Sequence, residues 1–498
     1  MANWGFYGRQ AERATIDRIL GRGRWFFCAV SGRRRIGKTT LIQRALQDSG
    51  VAGRFYFQVP DSDESGVLRS FQDALEDSGR SQQVANFGDM ASAVRAMCEE
   101  GWIVVMDEFQ YFHRAALASF ASFLQREVDV LRDTPRGGLF VLGSIHTEMM
   151  AILEDHDSPL FQRVTDRIEV DHWDGQTLFE MFGAHEVTSP HEWLFFWSLF
   201  EGVPKFYRDA YDQGVLKPDE NYRRDVLRRL FFEGSSPLRE EAANWFLREL
   251  RGRYDSVLKL LARLGPCSHG QLIAEYGRSG GATDKQIGGY LAILIDRFRM
   301  IEKLLPVFAS DRARKSRYAI ADNFLSAWLA AIGRNVDASR IQPIEACVER
   351  AATALETHEG FAFEKMVRAL MEECSRKQVG DFPLSAIVRG YWNKPDGSDI
   401  EIDVVAYDEA RKTVRFGSCK RSADKHEYAG FSGHIGRFLR TAEGRRFAGW
   451  TVEKALYSPH FEAADRQRHE AAGYRCVDLV DFARWLHPTM PSDPTSKA

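Results

Sequence analysis

The sequence predicts an α/β protein of several domains, and three observations lead to this fold class. Short apolar runs alternate with amphipathic segments in the first 173 residues, which is typical of a parallel sheet with helices on both faces. From about residue 174 to 248 the pattern is purely helical, and after residue 340 the α/β pattern returns. A chain of 498 residues is also too long for one hydrophobic core.

The N-terminal domain is predicted to span 1–173 and to contain a parallel sheet. Its apolar runs have the length of buried strands, at 25–30, 54–59, 102–106, 138–143 and 167–170. Amphipathic segments such as 65–79 and 114–131 lie between them and predict helices. Segments such as HEWLFFWSLF and YRRDVLRRLFFEG then predict a helical domain over 174–250.

Two further domains are predicted in the second half of the chain. Residues 251–335 have the order of a winged helix-turn-helix, because three helical segments precede two strand-like runs around the basic turn ASDRARK. Residues 340–490 form an α/β domain. Its predicted elements are a helix at 359–373 and strands at 386–392, 400–407 and 412–418.

Composition excludes several classes of protein. The net charge of -3 excludes nucleic-acid binding by overall charge, so any such surface must be a local patch. No apolar run approaches the roughly 20 residues of a membrane helix, and the start MANWGFYGRQAER lacks the apolar core of a signal peptide. The seven cysteines are widely spread and contain no CxxC pair, which favours neither a zinc ribbon nor a disulfide framework. We therefore expect a cytoplasmic protein without a membrane partner.

A phosphate-binding loop follows the first predicted strand. Residues 32–39 match GxxxxGK[ST] at every fixed position and lead into a predicted helix. The backbone N–H groups of such a loop point at phosphate oxygens, Lys38 places its charge on the β and γ phosphates, and Thr39 offers a hydroxyl to Mg²⁺. The residues predicted to contact ATP are Gly32, Arg33, Arg34, Arg35, Ile36, Gly37, Lys38, Thr39 and Thr40.

A second motif supports the first. The run Trp102–Met106 is a buried strand that ends in Asp107 and Glu108, in the form of a Walker B motif. Asp107 would hold Mg²⁺ through water, and Glu108 would orient or deprotonate the attacking water. The strand 138–143 is expected between the first two. Ser144 at its end is predicted to sense the γ-phosphate, and a serine without a role is the alternative.

These motifs resemble those of prokaryotic, largely archaeal, ATPases of the AAA+/STAND type. The resemblance rests on FYGRQAE at 6–12, the phosphate-binding loop, DEFQ at 107–110, SPLFQR at 158–163 and GVP at 202–204. It implies that Arg9 and Pro204 flank the nucleotide and that residues 174–250 form a helical lid. It also implies that Arg163 touches a γ-phosphate in cis, or a neighbour's in trans in an oligomer. A surface salt bridge is the alternative for Arg163.

Members of this group often continue with a winged helix and a domain related to PD-(D/E)xK nucleases. Here GFAFE at 360–364 resembles the first helix of that restriction-endonuclease-like domain, EIDVV at 401–405 its metal-binding strand, and GSCK at 417–420 the end of its site. The resemblance implies a site made of Glu364, Asp403 and Lys420. Ser418 replaces the expected carboxylate, and a hydroxyl is a poor ligand for a hard cation. Glu401 or Glu364 could compensate, but we expect a degenerate domain that does not cut.

The winged helix is a common DNA-binding unit, and its basic side chains are candidates for phosphate contacts. These candidates are Lys285 and Gln286 on the recognition helix and Arg312, Arg314, Lys315 and Arg317 on the wing. The alternative is a protein-protein spacer with a solvated wing. Three functions therefore stay open: an ATPase associated with double-stranded DNA, a nucleotide switch that signals to a protein partner, and an ATP-dependent nuclease.

Overall fold

The computed structural model describes residues 3–144, 146–217, 219–242, 253–278, 284–310, 315–394 and 399–488. The chain divides into two compact units. The N-terminal unit consists of Gly8–His172 with Val203–Lys205, and the C-terminal unit of Met1–Tyr7, Trp173–Gly202 and Phe206–Ala498. The finer predicted boundaries near residues 250 and 335 fall inside the C-terminal unit and stay predictions.

The N-terminal unit is built on a five-stranded parallel sheet. Its strands are β1 Phe26–Ser31, β2 Arg54–Gln58, β3 Ile103–Asp107, β4 Gly138–Gly143 and β5 Asp166–Glu169. The order across the sheet is β2-β3-β4-β1-β5. All neighbouring strands run parallel. The predicted strands are confirmed, and β4 lies between β1 and β3 as expected, so the carboxyl ends of β1 and β3 flank that of β4.

Helices cover this sheet. They are α1 Gln10–Leu20, α2 Lys38–Asp48, α3 Glu64–Asp77, α4 Phe87–Glu99, α5 Ser119–Leu131 and α6 His146–Leu153, with a 3₁₀ turn at Phe109–His113. Aromatic side chains dominate the core between sheet and helices; Phe71, Phe87 and Phe120 are fully or almost fully buried. The predicted helix 114–131 begins later, at Ser119, because residues 114–118 form a further turn in which the Leu117 N–H donates to the Arg114 carbonyl.

The C-terminal unit begins with helices, as predicted for 174–250. They are α7 Gly175–Ala184, α8 Pro190–Phe200, α9 Pro204–Asp212, whose first two residues belong to the N-terminal unit, and α10 Tyr222–Leu227, followed by a π-helical turn at Arg228–Phe232. Helix α8 is apolar around most of its circumference, and every residue of it except His191 is buried. A helix that is apolar on every side belongs in a core, and α8 packs against later helices of the same unit.

Three helices and a small sheet come next. The elements are α11 Arg253–Leu264, β6 Cys267–Ser268, α12 His269–Arg278, α13 Asp284–Asp296, β7 Ile301–Leu304 and β8 Arg317–Ile320. The strands form an antiparallel sheet in the order β6-β8-β7. Short helices α14 Asn323–Ala327 and α15 Gly333–Ala338 flank a π-helical turn and lead to the last part of the chain.

The last part is a mixed five-stranded sheet with helices. Its elements are α16 Ile344–Arg376, β9 Arg389–Trp392, β10 Glu401–Asp408, β11 Thr413–Cys419, α17 Tyr428–Arg440, β12 Thr451–Tyr457, α18 Ala463–Ala471, β13 Arg475–Val477 and α19 Leu479–Leu486. The order is β13-β12-β11-β10-β9. Strands β9, β10 and β11 are antiparallel, whereas β11, β12 and β13 are parallel.

Two predicted elements in this part have different bounds. Helix α16 starts at Ile344 instead of 359, because the alanine-rich stretch before Gly360 favours helix and contains no proline or glycine. Gly360 is tolerated inside the helix, where a Cβ would meet open space. Strand β9 starts at Arg389 instead of 386, and the side chain of Ile387 is 59% exposed. No helix within the described residues is long and apolar enough to cross a bilayer.

Candidate nucleotide-binding site

Two glycines give the loop between β1 and α2 its shape. A Cβ on Gly32 would lie 2.3 Å from the carbonyl oxygen of Val170, so the backbone can pass there only without a side chain. Gly37 has a φ of 90° and forms the N-cap of α2, a conformation that glycine adopts at little cost. The loop therefore turns directly into a helix N-terminus, whose free N–H groups favour an anion.

Lys38 is buried beneath this loop. Its ammonium Nζ donates hydrogen bonds to the carbonyl oxygens of Gly32 at 2.9 Å and Arg33 at 3.1 Å. Burial lowers the pKa of Lys38 to about 8, although the carboxylates of Glu108 and Asp107 oppose this shift. The ammonium is thus held by loop carbonyls at the position from which it would reach a phosphate.

Asp107 joins the phosphate-binding loop to the end of β3. Its Oδ2 accepts hydrogen bonds from the Thr39 hydroxyl and from the Tyr56 hydroxyl, the latter at 2.9 Å. Its Oδ1 accepts from the backbone N–H of Glu108 at 2.8 Å. Hydroxyl and carboxylate oxygens are ligands that Mg²⁺ prefers, so the Thr39 and Asp107 side chains fit this ion.

Tyr56 was not predicted from the sequence. It lies on β2 opposite Val105 of β3, two residues before Asp107, and the sheet brings its hydroxyl to the carboxylate. Burial raises the pKa of Tyr56, and the charge of Asp107 raises it further, so the hydroxyl remains a donor. Exposed and buried residues alternate along β2, and Tyr56 lies on the exposed side.

Glu108 and Ser144 meet at the ends of two neighbouring strands. Glu108 has a φ of 55°, the left-handed conformation that only a few non-glycine residues adopt. The Ser144 hydroxyl donates to Glu108 Oε2 at 3.4 Å. The candidate base and the candidate γ-phosphate sensor therefore lie side by side, and Gln110 bonds to both of them.

Of the residues assigned by resemblance, Arg9 and Pro204 lie beside the phosphate-binding loop, whereas Arg163 is paired with a carboxylate. Arg9 is buried and donates to the carbonyl oxygens of Asp171 at 2.6 Å and Ile36 at 3.0 Å, so it supports the loop through its backbone. A Cβ on Gly37 would lie 4.0 Å from Cγ of Pro204, which places this proline beside the loop. Arg163 donates two hydrogen bonds of 2.9 Å to the Asp129 carboxylate, which is the salt bridge considered as its alternative.

The outer loop residues differ in exposure. Arg34 and Thr40 are exposed, whereas Arg33 and Arg35 are partly buried. Arg35 has a φ of 66°, so the loop carries one strained non-glycine position. Arg34 and Thr40 therefore face solvent at the rim of the site.

The basic wing residues are engaged within the C-terminal unit. Arg317 pairs with Glu401 at 2.7 Å, its guanidinium lies 4.4 Å from the ring centre of Trp392, and its side chain is only 12% exposed. Lys315 pairs with Glu443 at 3.4 Å, and its carbonyl accepts from the Trp392 indole at 2.6 Å. Lys315 and Arg317 were predicted to contact DNA phosphates, with a solvated wing as the alternative, and here both are paired with carboxylates distant in sequence.

The other predicted DNA contacts are described only in part. Arg312, Arg314 and the side chain of Lys285 lie outside the described residues. Gln286 is exposed on α13. The structure therefore gives no common surface for the predicted set.

The predicted nuclease-like residues lie close together in the C-terminal unit. Burial raises the pKa of Asp403, while the neighbouring Lys420 ammonium lowers it. Burial and then the charge of Asp403 raise the pKa of Glu364. Asp403 Oδ2 accepts from the backbone N–H of Cys419 at 2.8 Å, and Ser418 is 8% exposed. Over the described residues, no group of three or more His, Cys, Asp or Glu side chains is arranged to hold a metal.

Comparisons with known proteins give a family match for part of the chain and a relative that is similar over most of it. Residues 328–430 match DUF234, a family described as archaea bacterial proteins of unknown function. An uncharacterised protein of Methanocaldococcus jannaschii is 22% identical over 425 residues, which covers 83% of this chain and 87% of that protein.

Two solved structures are similar at low identity. The Walker-type ATPase of Pyrococcus abyssi is 18% identical with a TM-score of 0.49, over 65% of this chain and 96% of that one. The ORC2 protein of Aeropyrum pernix, solved with ADPNP and ADP, is 16% identical with a TM-score of 0.48, over 68% of this chain and 96% of that one.

Proposed function

We propose that this chain binds ATP with Mg²⁺ at the loop 32–39 and hydrolyses it. One observation supports this most strongly. The Thr39 hydroxyl donates to the Asp107 carboxylate, so two motifs that lie 68 residues apart meet at one point beside the Lys38 ammonium. A chance match to either motif would give no reason for this meeting.

Each side chain has a separate task in this proposal. The N–H groups of the loop and the N-terminus of α2 bind the phosphates, and Lys38 leaves its loop carbonyls for the β and γ phosphate oxygens. Thr39 and Asp107 would hold Mg²⁺, which when bound neutralises charge on those oxygens. Tyr56 and the N–H of Glu108 keep the Asp107 carboxylate in place.

Glu108 is the proposed base for the attacking water. Its carboxylate accepts from the Ser144 hydroxyl and is near enough to the Lys38 ammonium to raise the pKa of that group, so we place it beside the γ-phosphate. Ser144 at the end of β4 is the proposed contact to that phosphate. Arg163 is not part of the proposed site, because its guanidinium is bound by Asp129.

Replacing Asp107 by Ala tests the metal part of this proposal. We expect the Mg²⁺ concentration for half-maximal hydrolysis to rise by roughly 10-fold or more, because a carboxylate ligand and its hydrogen bonds are lost. The measurement is the rate of phosphate release as Mg²⁺ is titrated at fixed ATP. Asp73→Ala, on α3 of the same unit, is the control; an unchanged Mg²⁺ requirement in Asp107→Ala would remove Asp107 from the metal site.

The second candidate function is a nucleotide switch that acts on a protein partner. It is favoured by two ion pairs, Lys315 with Glu443 and Arg317 with Glu401. These pairs occupy two of the basic side chains that were predicted to contact DNA. The helix and strand order of 253–320 supports a winged helix, but one docked within the chain. Contact with double-stranded DNA through the wing would then rely on Arg312 and Arg314.

Salt-dependent DNA retention separates these candidates. If the protein is a nucleotide switch, changing Lys315 and Arg317 together to Ala should leave the salt dependence of DNA retention unchanged. Under DNA binding through these residues, each lost phosphate contact lowers the slope of log K against log salt by roughly 0.9. The same slope, measured after Arg312 and Arg314 are both changed to Ala, tests the other two basic residues of the wing.

We also propose that the last part of the C-terminal unit is a nuclease-like domain that does not cut DNA. The order α16, β9, β10, β11, α17, β12 supports a restriction-endonuclease-like fold, and Glu364, Asp403 and Lys420 converge there. Position 418 supplies only a hydroxyl, and Glu401 already pairs with Arg317. Neutral oxygens bind Mg²⁺ without neutralising its charge.

Incubation of the protein with linear and supercoiled DNA tests this proposal. We expect both substrates to remain intact in Mg²⁺ and in Mn²⁺. Asp403→Ala is the control for a contaminating nuclease. Cleavage by the wild type that Asp403→Ala abolishes would show that the domain is active, and the ATP-dependent nuclease would then become the better function.

A further inference from the structure

Gln110 is the buried residue that connects the ends of β3 and β4. It lies two residues after Glu108 in the 3₁₀ turn and is 2% exposed. Its amide Nε2 donates to Oε2 of Glu108 and lies 3.5 Å from the Ser144 hydroxyl. Its Oε1 accepts from the backbone N–H of Ser144 at 3.3 Å. Both ends of the side chain are therefore bonded to proposed site residues.

The surrounding packing is consistent with a fixed position for this amide. A Cβ on Gly143 would lie 3.0 Å from Oε1 of Gln110 and 2.3 Å from the sulfur of Met149. A side chain at position 143 would thus force the amide or the methionine to move. Burying an amide costs free energy unless it is hydrogen-bonded. Loss of the hydrogen bonds to Glu108 and Ser144 would therefore be unfavourable for Gln110.

We propose that Gln110 is a positioning residue that aims the Glu108 carboxylate and links it to Ser144, an inference that rests on the proposed ATPase function. The amide donates to Oε2, which leaves Oε1 as the oxygen that accepts the proton of the attacking water. An amide suits this task because it stays neutral and cannot itself take that proton. A shift of Ser144 towards a γ-phosphate would be passed to Glu108 through the same side chain.

Replacing Gln110 by Met tests the proposal, because Met has a similar length and fills a core without hydrogen bonds. We expect kcat to fall by roughly 10-fold or more while the Kd for ATP changes by less than about 3-fold, because the base is misplaced but the phosphate loop is intact. The matched control is Gln72→Met. Gln72 also donates to a carboxylate, that of Glu76, and accepts from a backbone N–H, that of Val84, but on α3 outside the site.

A double-mutant cycle separates positioning from a general structural role. Gln110→Met should cause no further loss of kcat in a Glu108→Gln background, because Gln110 acts through Glu108. A further loss of the same size in that background, or a parallel loss of ATP affinity, would overturn the proposal. If Gln110→Met does not fold, Gln110→Asn keeps an uncharged amide that is one methylene too short to bond to both Glu108 and Ser144, and it should lose kcat to a similar extent.

The outcomes distinguish this proposal from the function on which it rests. If the wild type does not hydrolyse ATP, the proposed function fails. If the wild type hydrolyses ATP and Gln110→Met matches it in kcat, the function stands and the positioning role of Gln110 is wrong.

Discussion

Glu108→Gln is expected to slow ATP hydrolysis by roughly 10²-fold or more while ATP binding is retained, because an amide cannot accept a proton from water. The change keeps the size of the side chain, and Asp107 and Thr39 keep their hydrogen bond. Single-turnover phosphate release gives the rate of the chemical step. Calorimetric titration with ATP gives the affinity, which we expect to stay within about 3-fold of the wild type.

Glu64→Gln is the matched control for this change. Glu64 is an exposed acid in the first turn of α3, in the same unit, and belongs to neither motif of the proposed site. It should hydrolyse ATP at the wild-type rate. Hydrolysis by Glu108→Gln at that rate would mean that another group activates the water.

Lys38→Met is expected to weaken ATP binding by about 2 kcal/mol or more, or roughly 30-fold, because a buried charge that would face phosphate is removed. Met is preferred to Ala because Lys38 is 7% exposed and truncation would leave a cavity. The measurement is the Kd for ATP by calorimetry. The melting temperature of each variant shows whether the fold is kept.

Lys425→Met is the control for the loss of one lysine. Its side chain is 72% exposed and lies in the C-terminal unit. It should bind ATP like the wild type. Wild-type affinity in Lys38→Met, with the fold intact, would contradict the assignment of the loop 32–39 to phosphate.

The parallel sheet and its motifs could be predicted because their signals are local. Each strand is a short apolar run, and the loop 32–39 combines fixed residue types with a strand before it and a helix after it. The apolar run that ends in Asp107 and Glu108 is likewise a signal within a few consecutive residues. The sequence therefore predicted which residues meet at Asp107, except for those that arrive from a neighbouring strand or turn.

Tyr56 and Gln110 were not predicted to be site residues because their roles depend on strand order and on one turn. Tyr56 reaches Asp107 because β2 pairs with β3. The sequence of a single strand does not specify which strand it pairs with. Gln110 reaches Ser144, 34 residues away, because the chain makes a 3₁₀ turn after Glu108. Neither contact follows from periodicity.

The partners of the charged wing residues could not be predicted from the local sequence either. Four positive charges in six residues predicted phosphate contacts, with a solvated loop as the alternative. The partners of Lys315 and Arg317 lie 128 and 84 residues further along the chain, on elements whose approach the local sequence does not specify. The pairing of Arg163 with Asp129, which lies 34 residues earlier, is likewise not specified by the local sequence.

Phosphate release from ATP by the purified wild-type chain, with and without Mg²⁺, tests the proposed function most directly. We expect release in Mg²⁺ that stops when the ion is chelated and that is lost in both Lys38→Met and Glu108→Gln. The same release from both variants as from the wild type, or no release by a wild type that binds ATP no better than Lys38→Met, would contradict an ATPase site at the loop 32–39.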